Sequence, residues 1–282
     1  MHKKLTIVLG PTAVGKTDYS IRLAKEYGSP IISCDSRQIF KEMKIGTAPP
    51  STEQLTAVKH YFIFSHSVSQ YYTAGKYELE AIDIVEDLFK SHDRLVMTGG
   101  SCLYVDAFCN GLGEFPETDW EFRKELMDRL EKEGLESLQK ELKALDPEAY
   151  CSMDIANRQR VVRALEVNIT TGKKYSSFKN NQPKDRSFEI EKICLHRDRE
   201  ELYDRINERV DMMLAAGLVE EVEGLRKYRE MPALNTVGYK EIFQYLDGEI
   251  SLDRAVELIK RNTRHYAKRQ MTWWRTENKL LL

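Results

Sequence analysis

The sequence predicts an α/β fold of the P-loop type, a parallel sheet flanked by helices in three layers, with an all-helical insertion domain added to it. Three observations predict this. Gly10-Pro11-Thr12-Ala13-Val14-Gly15-Lys16-Thr17 fits G-x-x-x-x-G-K-[ST] at every fixed position and directly follows the apolar run of residues 5–9. Strand, glycine loop, helix is the context in which this motif binds phosphate. The first half alternates short apolar runs with helical patterns, which implies βαβ units and a parallel sheet. Near Pro116 charged helical segments replace that alternation, and a strand-like run returns only at residues 190–196.

The expected strands are residues 5–9, 30–34, 61–64 and 94–98, each short and rich in β-branched or aromatic side chains. Helical patterns lie between them at 16–27 and 74–91. Residues 120–145 read as helix interrupted at Gly134, and Pro147 starts another short helix. Asp154 is placed to cap a helix over 155–171 that Gly172 ends. Residues 173–185 are polar, without apolar period, and read as a loop. Further helices are expected near 199–216, 218–229, 238–245 and 251–275. The expected organisation is therefore a discontinuous catalytic core, 1–115 and 190–282, around a helical insertion at 116–189.

A formal net charge of −2 over 282 residues excludes a global positive field, so any nucleic-acid binding must come from local patches. No apolar stretch approaches the roughly 20 residues needed to cross a bilayer. The basic start followed by five apolar residues is too short for a signal peptide and is better explained as the strand feeding the glycine loop. The five cysteines form no C-x-x-C pair and read as reduced thiols of a cytoplasmic protein. His60, His66 and His196 lack metal-ligand spacing and are expected to be structural. A monomer is expected, although the sequence does not fix the oligomeric state.

Gly10 and Gly15 let the loop backbone wrap an anion, and the helix that starts near Gly15 adds its positive end. Lys16 reaches a terminal phosphate, and the Thr17 hydroxyl is the expected ligand of a magnesium ion bridging phosphate oxygens. Asp35, with Ser36, Arg37 and Gln38, follows the strand at 30–34, at the sheet edge where open α/β folds bind ligands. Asp35 there is a general base, an indirect partner of magnesium, or a helix N-cap, and position alone leaves all three open. The strand at 94–98 ends in Gly99-Gly100-Ser101 where many magnesium ATPases have aspartate. Two glycines permit close backbone approach and Ser101 offers a hydroxyl. Asp106 mimics a metal aspartate but falls inside the following helix.

These segments together resemble the tRNA dimethylallyltransferase (tRNA isopentenyltransferase) family. The resemblance extends through Met43-Lys44-Ile45-Gly46-Thr47-Ala48, the run from Asn157 to Glu166, Val237-Gly238-Tyr239-Lys240 and Lys268-Arg269-Gln270-Met271-Thr272-Trp273. The ordered set spans nearly the whole chain. It implies transfer of a dimethylallyl group from dimethylallyl diphosphate to N6 of the adenosine 3′-adjacent to the anticodon of tRNA, with release of pyrophosphate. By resemblance the P-loop and Mg2+ on Thr17 stabilise the departing pyrophosphate, Asp35 accepts the N6 proton, and Ser101 helps hold the reacting groups. Most members carry Thr where this chain has Ser101, so the hydroxyl is kept and a methyl is lost.

The resemblance also places tRNA contacts at Asp35, Ser36, Arg37, Gln38, Ser101, Arg123, Gln159, Arg160, Val161, Val162 and Arg163, and diphosphate contacts at Arg205 and Arg209. The competing reading of the last two is pairing with Glu201 or Glu208 along their helix. The last helix carries Arg254, Lys260, Arg261, Arg264, Lys268, Arg269 and Arg275, interleaved with Tyr266, Trp273 and Trp274, and could line an RNA groove. Eukaryotic members end in a zinc module; this chain ends at Leu282 without one and resembles the bacterial type. Two other readings remain at this point: a small-molecule or nucleotide kinase in which Asp35 activates a hydroxyl, and a non-catalytic RNA-binding ATPase.

Overall fold

The computed structural model describes residues 3–112, 115–179, 184–277 and 279–282. The chain divides into two compact units, Met1–Cys109 with Asp185–Leu282, and Asn110–Lys184. The composition-based limits of the insertion, 116 and 189, thus lie six and five residues later than those of the second unit.

The first unit is built on a single parallel sheet in the order β3-β2-β4-β1-β5-β6. Its elements run β1 (Lys4–Leu9), α1 (Lys16–Tyr27), β2 (Ile31–Ser33), α2 (Thr52–Ala57), β3 (His60–Tyr61), α3 (Ala74–Leu88), β4 (Arg94–Thr98) and α4 (Cys102–Asn110). In β1, Leu5, Ile7, Val8 and Leu9 are fully buried, the mark of a central parallel strand covered on both faces. It pairs with β4 on one side, Ile7 opposite Met97, and on the other with β5, Val8 opposite Ile193. The expected strand at 61–64 ends at Tyr61, because Phe62 (φ 61°) and Phe64 (φ 51°) take left-handed conformations that break the pleat.

In the second unit, α5 (Trp120–Glu133), α6 (Leu135–Leu145), α7 (Pro147–Ser152) and α8 (Arg158–Thr171) bury Leu126, Leu130, Leu138, Leu142, Val161 and Val162 in one core. The helix expected from 155 starts at Arg158, because Asn157 supplies the cap by accepting from Arg160 N at 3.2 Å. Asp154 instead closes the preceding turn on Ala156 N, 3.1 Å. Residues 175–179 of the expected polar loop form a 3-10 helix; residues 180–183 lie outside the described residues.

The chain then returns to the sheet through β5 (Glu189–His196). Helices α9 (Arg199–Ala215), α10 (Leu218–Gly224), α11 (Tyr239–Leu246) and α12 (Leu252–Trp273) follow, and β6 (Lys279–Leu281) closes the edge. The helix expected over 218–229 stops at Gly224 and continues as a 3-10 turn at Arg226–Tyr228. Among the described residues no helix is long and apolar enough to cross a membrane. Parallel pairing puts the carboxyl ends of β1, β2 and β4 on one edge, so the glycine loop, the Asp35 turn and Gly99-Gly100-Ser101 all emerge together.

Candidate active site

The glycine loop leaves β1 at Gly10, where φ is +140° and an added Cβ would lie 2.8 Å from the Leu195 carbonyl oxygen. Only glycine meets both demands. Gly15 (φ +107°) begins α1 with no side-chain cap, so the first helical N–H groups stay open to an anion. Lys16 folds over the loop and donates from Nζ to the carbonyls of Gly10 (2.9 Å) and Pro11 (2.8 Å). Burial, reinforced by the charge of Arg209, lowers its pKa from 10.5 to about 8.

Two residues of α9 complete the cationic wall. Arg205 Nε donates to Ala13 O (2.9 Å) and Arg209 to Thr12 Oγ1 (3.1 Å), so both lie on the glycine loop and not on Glu201 or Glu208. Burial, and then the neighbouring Arg205, hold Arg209 below the usual guanidinium range. The glutamate at 201 pairs with Arg197 instead.

On the next strand end, Asp35 Oδ1 accepts from Arg37 N (2.8 Å) and Gln38 N (3.2 Å), closing an Asx turn. Residues 36–39 form a turn and no helix starts there, so Asp35 is not a helix N-cap, and the turn occupies one of its oxygens. The carboxylate also lines a cleft of about 670 Å³ shared with Lys16, Thr17, Arg205 and Arg209. A cavity of about 200 Å³ has Thr12, Asp35, Arg209, Met213 and Tyr266 in common with that cleft and adds Ser36, Arg37 and Ser101. Asp35 thus stands on the wall that the two spaces share.

The Gly99-Gly100-Ser101 segment packs against this turn. A Cβ on Gly99 would lie 2.6 Å from the carbonyl carbon of Cys34, so the backbones touch there. Ser101 Oγ accepts from Ser36 N (2.8 Å) and donates to Ser36 Oγ (3.0 Å), fixing the turn that bears Asp35. Half-buried Gln38, on the wall of the larger cleft, donates its amide to the carbonyls of Thr47 (3.1 Å) and Ala48 (3.0 Å). Asp106 lies in α4 and accepts from Trp273 Nε1 at 3.1 Å.

One residue that the sequence did not single out ties the loops together. Gln270 of α12 is 1% exposed; its Oε1 accepts from Thr12 N (2.9 Å) and its Nε2 donates to Gly100 O (2.8 Å). Tyr266 donates to the same carbonyl at 3.2 Å. Gln270 lies within a run that carries the family resemblance, but nothing in that run states what the amide binds.

The oxygen donors suit magnesium. Among the described residues no group of three or more His, Cys, Asp or Glu could cage an ion, and none of the cysteines forms a disulfide. A hydroxyl from Thr17 with the Asp35 carboxylate in the same cleft is the sparse, hard-oxygen set that magnesium accepts when phosphates and waters supply the rest.

In the second unit the candidate RNA residues divide sharply. Glu166 is 1% exposed and accepts from Asp119 N (3.1 Å), Arg123 (3.0 Å) and Arg163. Arg123 also donates to Gln159 Oε1 (3.1 Å), and Arg163 to Pro116 O (2.7 Å). These two arginines neutralise a buried carboxylate before they meet any partner. Val161 and Val162 are fully buried in the helical core, so their side chains contact no RNA; the apolar face of α8 needs them inside. Arg160 and Gln159 are exposed. On α12, Arg254 pairs with Glu257, Lys260 with Asp211, and Arg264 donates to Asn207.

The comparisons with known proteins agree with one another. Residues 38–277 match the family profile described as IPP transferase. The chain is 50% identical over 278 residues to a tRNA dimethylallyltransferase 1 of Bacteroides fragilis, covering 99% of this chain and 92% of the relative. It is 49% identical over 276 residues to the protein of that name from Bacteroides thetaiotaomicron, covering 98% and 90%. A crystal structure of full-length tRNA isopentenylpyrophosphate transferase from Bacillus halodurans superposes with a TM-score of 0.71 at 34% identity, over 99% of this chain and 89% of that one. A eukaryotic dimethylallyltransferase, described as acting on tRNA, superposes with a TM-score of 0.80 at 26% identity, over 99% and 73%.

Proposed function

We propose a reaction for this chain on the premise that it belongs to the IPP transferase family, the tRNA dimethylallyltransferases, and is therefore a transferase. The reaction moves a dimethylallyl group from dimethylallyl diphosphate to N6 of the adenosine 3′-adjacent to the anticodon in tRNA. The bond from the allylic carbon to the diphosphate oxygen breaks, a bond from that carbon to N6 forms, and pyrophosphate leaves. The observation that carries the reading is Asp35 on the wall common to both cavities. A diphosphate held by the glycine loop and an adenine entering the smaller space would meet there.

An exocyclic adenine amine is a weak nucleophile, so the leaving group must be strongly stabilised. The loop N–H groups, Lys16, Arg205 and Arg209 converge where that negative charge grows. Magnesium, held by Thr17, would supply further stabilisation of the pyrophosphate charge. Asp35 takes the N6 proton with the oxygen that the turn leaves uncommitted, while Oδ1 keeps the carboxylate in place. Ser101 acts on Asp35 through Ser36. Lys16 is best understood as poised: desolvated and crowded by Arg209 when the cleft is empty, it gains its counter-charge with the diphosphate.

The adenine must leave its stack to reach Asp35, as in other base-modifying enzymes. We assign the RNA grip to exposed Arg160 and Gln159 of the helical unit, with Arg123 and Arg163 as the scaffold that presents them. The basic end of α12, with exposed Lys268 and Arg269, and Arg275 just beyond it, beside exposed Trp273, is assigned to the same task. A tRNA substrate makes the cytoplasm the place of action. The test is incubation with dimethylallyl diphosphate, magnesium and unmodified tRNA, followed by nucleoside mass analysis. A five-carbon adduct on adenosine with release of pyrophosphate is expected. Consumption of ATP to ADP with no adduct on any RNA would return the kinase reading.

A further inference from the structure

The segment Met43-Lys44-Ile45-Gly46-Thr47-Ala48 has no role in the mechanism so far, yet it forms part of both cavities. Lys44, Ile45, Thr47 and Ala48 line the larger, and Gly46, Thr47 and Ala48 the smaller. It is irregular backbone, with Ala48 in a left-handed conformation (φ 45°) that costs free energy for a residue with a Cβ. Something must hold it.

Gln38 holds its far end through the Thr47 and Ala48 carbonyls, and a single carboxylate from α10 holds its near end. Glu221 Oε2 accepts from Lys44 N (2.7 Å) and Ile45 N (2.8 Å), and its Oε1 accepts from Gly46 N (3.0 Å) and the Tyr239 hydroxyl (2.6 Å). Three consecutive amides that converge on one point form an anion-binding nest, and here the protein fills it from within. Tyr239 is fully buried, so its hydroxyl is held well above the usual tyrosine range and serves as a neutral donor. Its ring also sets the loop's depth: a Cβ on Gly46 would come within 2.6 Å of it. Beyond the clamp, Thr47 Oγ1 donates to Met43 O (2.7 Å) and Ala48 N to Ile45 O (3.0 Å), which link the clamped amides to the end that Gln38 holds.

We propose that Glu221, braced by Tyr239, is a positioning residue that holds residues 44–48 as a wall of the catalytic cavities. The proposal rests on the reading of this cleft as the catalytic site. It explains why two stretches far apart in the chain, 43–48 and 237–240, belong to one working part. Charge-assisted hydrogen bonds to three amides are stronger and more directional than neutral ones, which suits a loop that must not drift. A displacement of about 1 Å in a wall of this kind costs up to about a hundredfold in rate even when no catalytic group is touched.

The test compares Glu221→Gln and Tyr239→Phe with the unaltered enzyme and with Lys16→Ala. A glutamine keeps the shape but presents an NH2 group where one oxygen stood, so the Gly46 amide loses its acceptor. Amide hydrogen exchange should accelerate at least tenfold at residues 44–46 in Glu221→Gln, and less in Tyr239→Phe, while exchange in β1 and β4 stays unchanged. The specificity constant kcat/KM should fall about ten- to a hundredfold, mainly in kcat, with RNA affinity retained. Unchanged exchange at 44–46 overturns the clamp. Accelerated exchange with unaltered kcat/KM overturns its positioning role. Full activity in Lys16→Ala overturns instead the reading of the cleft as the site, and the exchange data then still decide the clamp.

Discussion

Lys16 offers the sharpest quantitative test of the cleft, because its two linkages run in opposite directions. Burial and Arg209 bring its pKa from 10.5 to about 8. A diphosphate binds the protonated form, and its own last proton is already lost near pH 6. With a pKa of about 8 the charged fraction is about ten-elevenths at pH 7 and about one-eleventh at pH 9. Affinity for dimethylallyl diphosphate, measured by calorimetry without RNA at fixed magnesium, should therefore weaken about tenfold over that interval. The stability linkage has the reverse sign. Between about 8 and 10.5 the unfolded chain binds the proton that the folded chain has lost, so this residue's contribution to stability rises with pH. Its cost is fully present below about 8 and amounts to roughly 3–4 kcal/mol, at about 1.36 kcal/mol for each tenfold change in proton affinity. Lys16→Arg, charged throughout, should show a flat affinity from pH 7 to 9. Lys16→Met should lack the alkaline rise in stability relative to the unaltered protein. Affinity independent of pH in the native enzyme, or parallel stability curves for native and Lys16→Met, would refute both the depressed pKa and the phosphate contact.

Three further outcomes are expected. Asp35→Asn keeps an oxygen for the Arg37 and Gln38 amides but cannot take a proton, so kcat should fall about 10²–10⁴-fold with diphosphate and RNA affinity retained; unchanged single-turnover rates would remove Asp35 as the base. Arg160→Ala should weaken tRNA binding and reduce the salt slope by about one, since Arg160 is exposed, and an identical slope by filter binding would show that it meets no phosphate. Gly99→Ala forces a Cβ to 2.6 Å from Cys34 backbone, where nothing flexible can yield, and should cost about 1–3 kcal/mol in urea unfolding along with activity; native stability would mean that the strand ends are not in contact.

The elements read correctly were those whose signals are local. The first strand, α1 and β4 each combine an apolar run with clear punctuation, and their observed limits lie within one residue of those expected. The errors have equally physical causes. Aromatic residues at 61–64 favour a strand, but Phe62 and Phe64 take positive φ, which periodicity does not report. Asp154 and Asn157 are both good caps three residues apart, and sequence does not rank them; the structure uses the first for a turn and the second for the helix. Helix α2 carried a readable capping box, Ser51 with Gln54, but buries no residue and so shows no apolar period.

In the site, legibility followed the kind of partner. The glycine loop, the Asp35 turn and Gly99-Gly100-Ser101 are contiguous, and each residue type states its chemistry. Arg123 and Arg163 look like free cations until Glu166 is placed between them, although the Arg163–Glu166 spacing of three was a visible clue. Glu221 and Gln270 left no such clue. Apart from the Tyr239 hydroxyl on Glu221, their partners are backbone amides and carbonyls up to 177 and 258 residues distant. A peptide group has no residue identity, so a side chain that binds one implies no complementary residue elsewhere in the chain. The residues that shape the loops are for that reason harder to read than those that touch substrate, and they emerge only when the fold brings the loop to them.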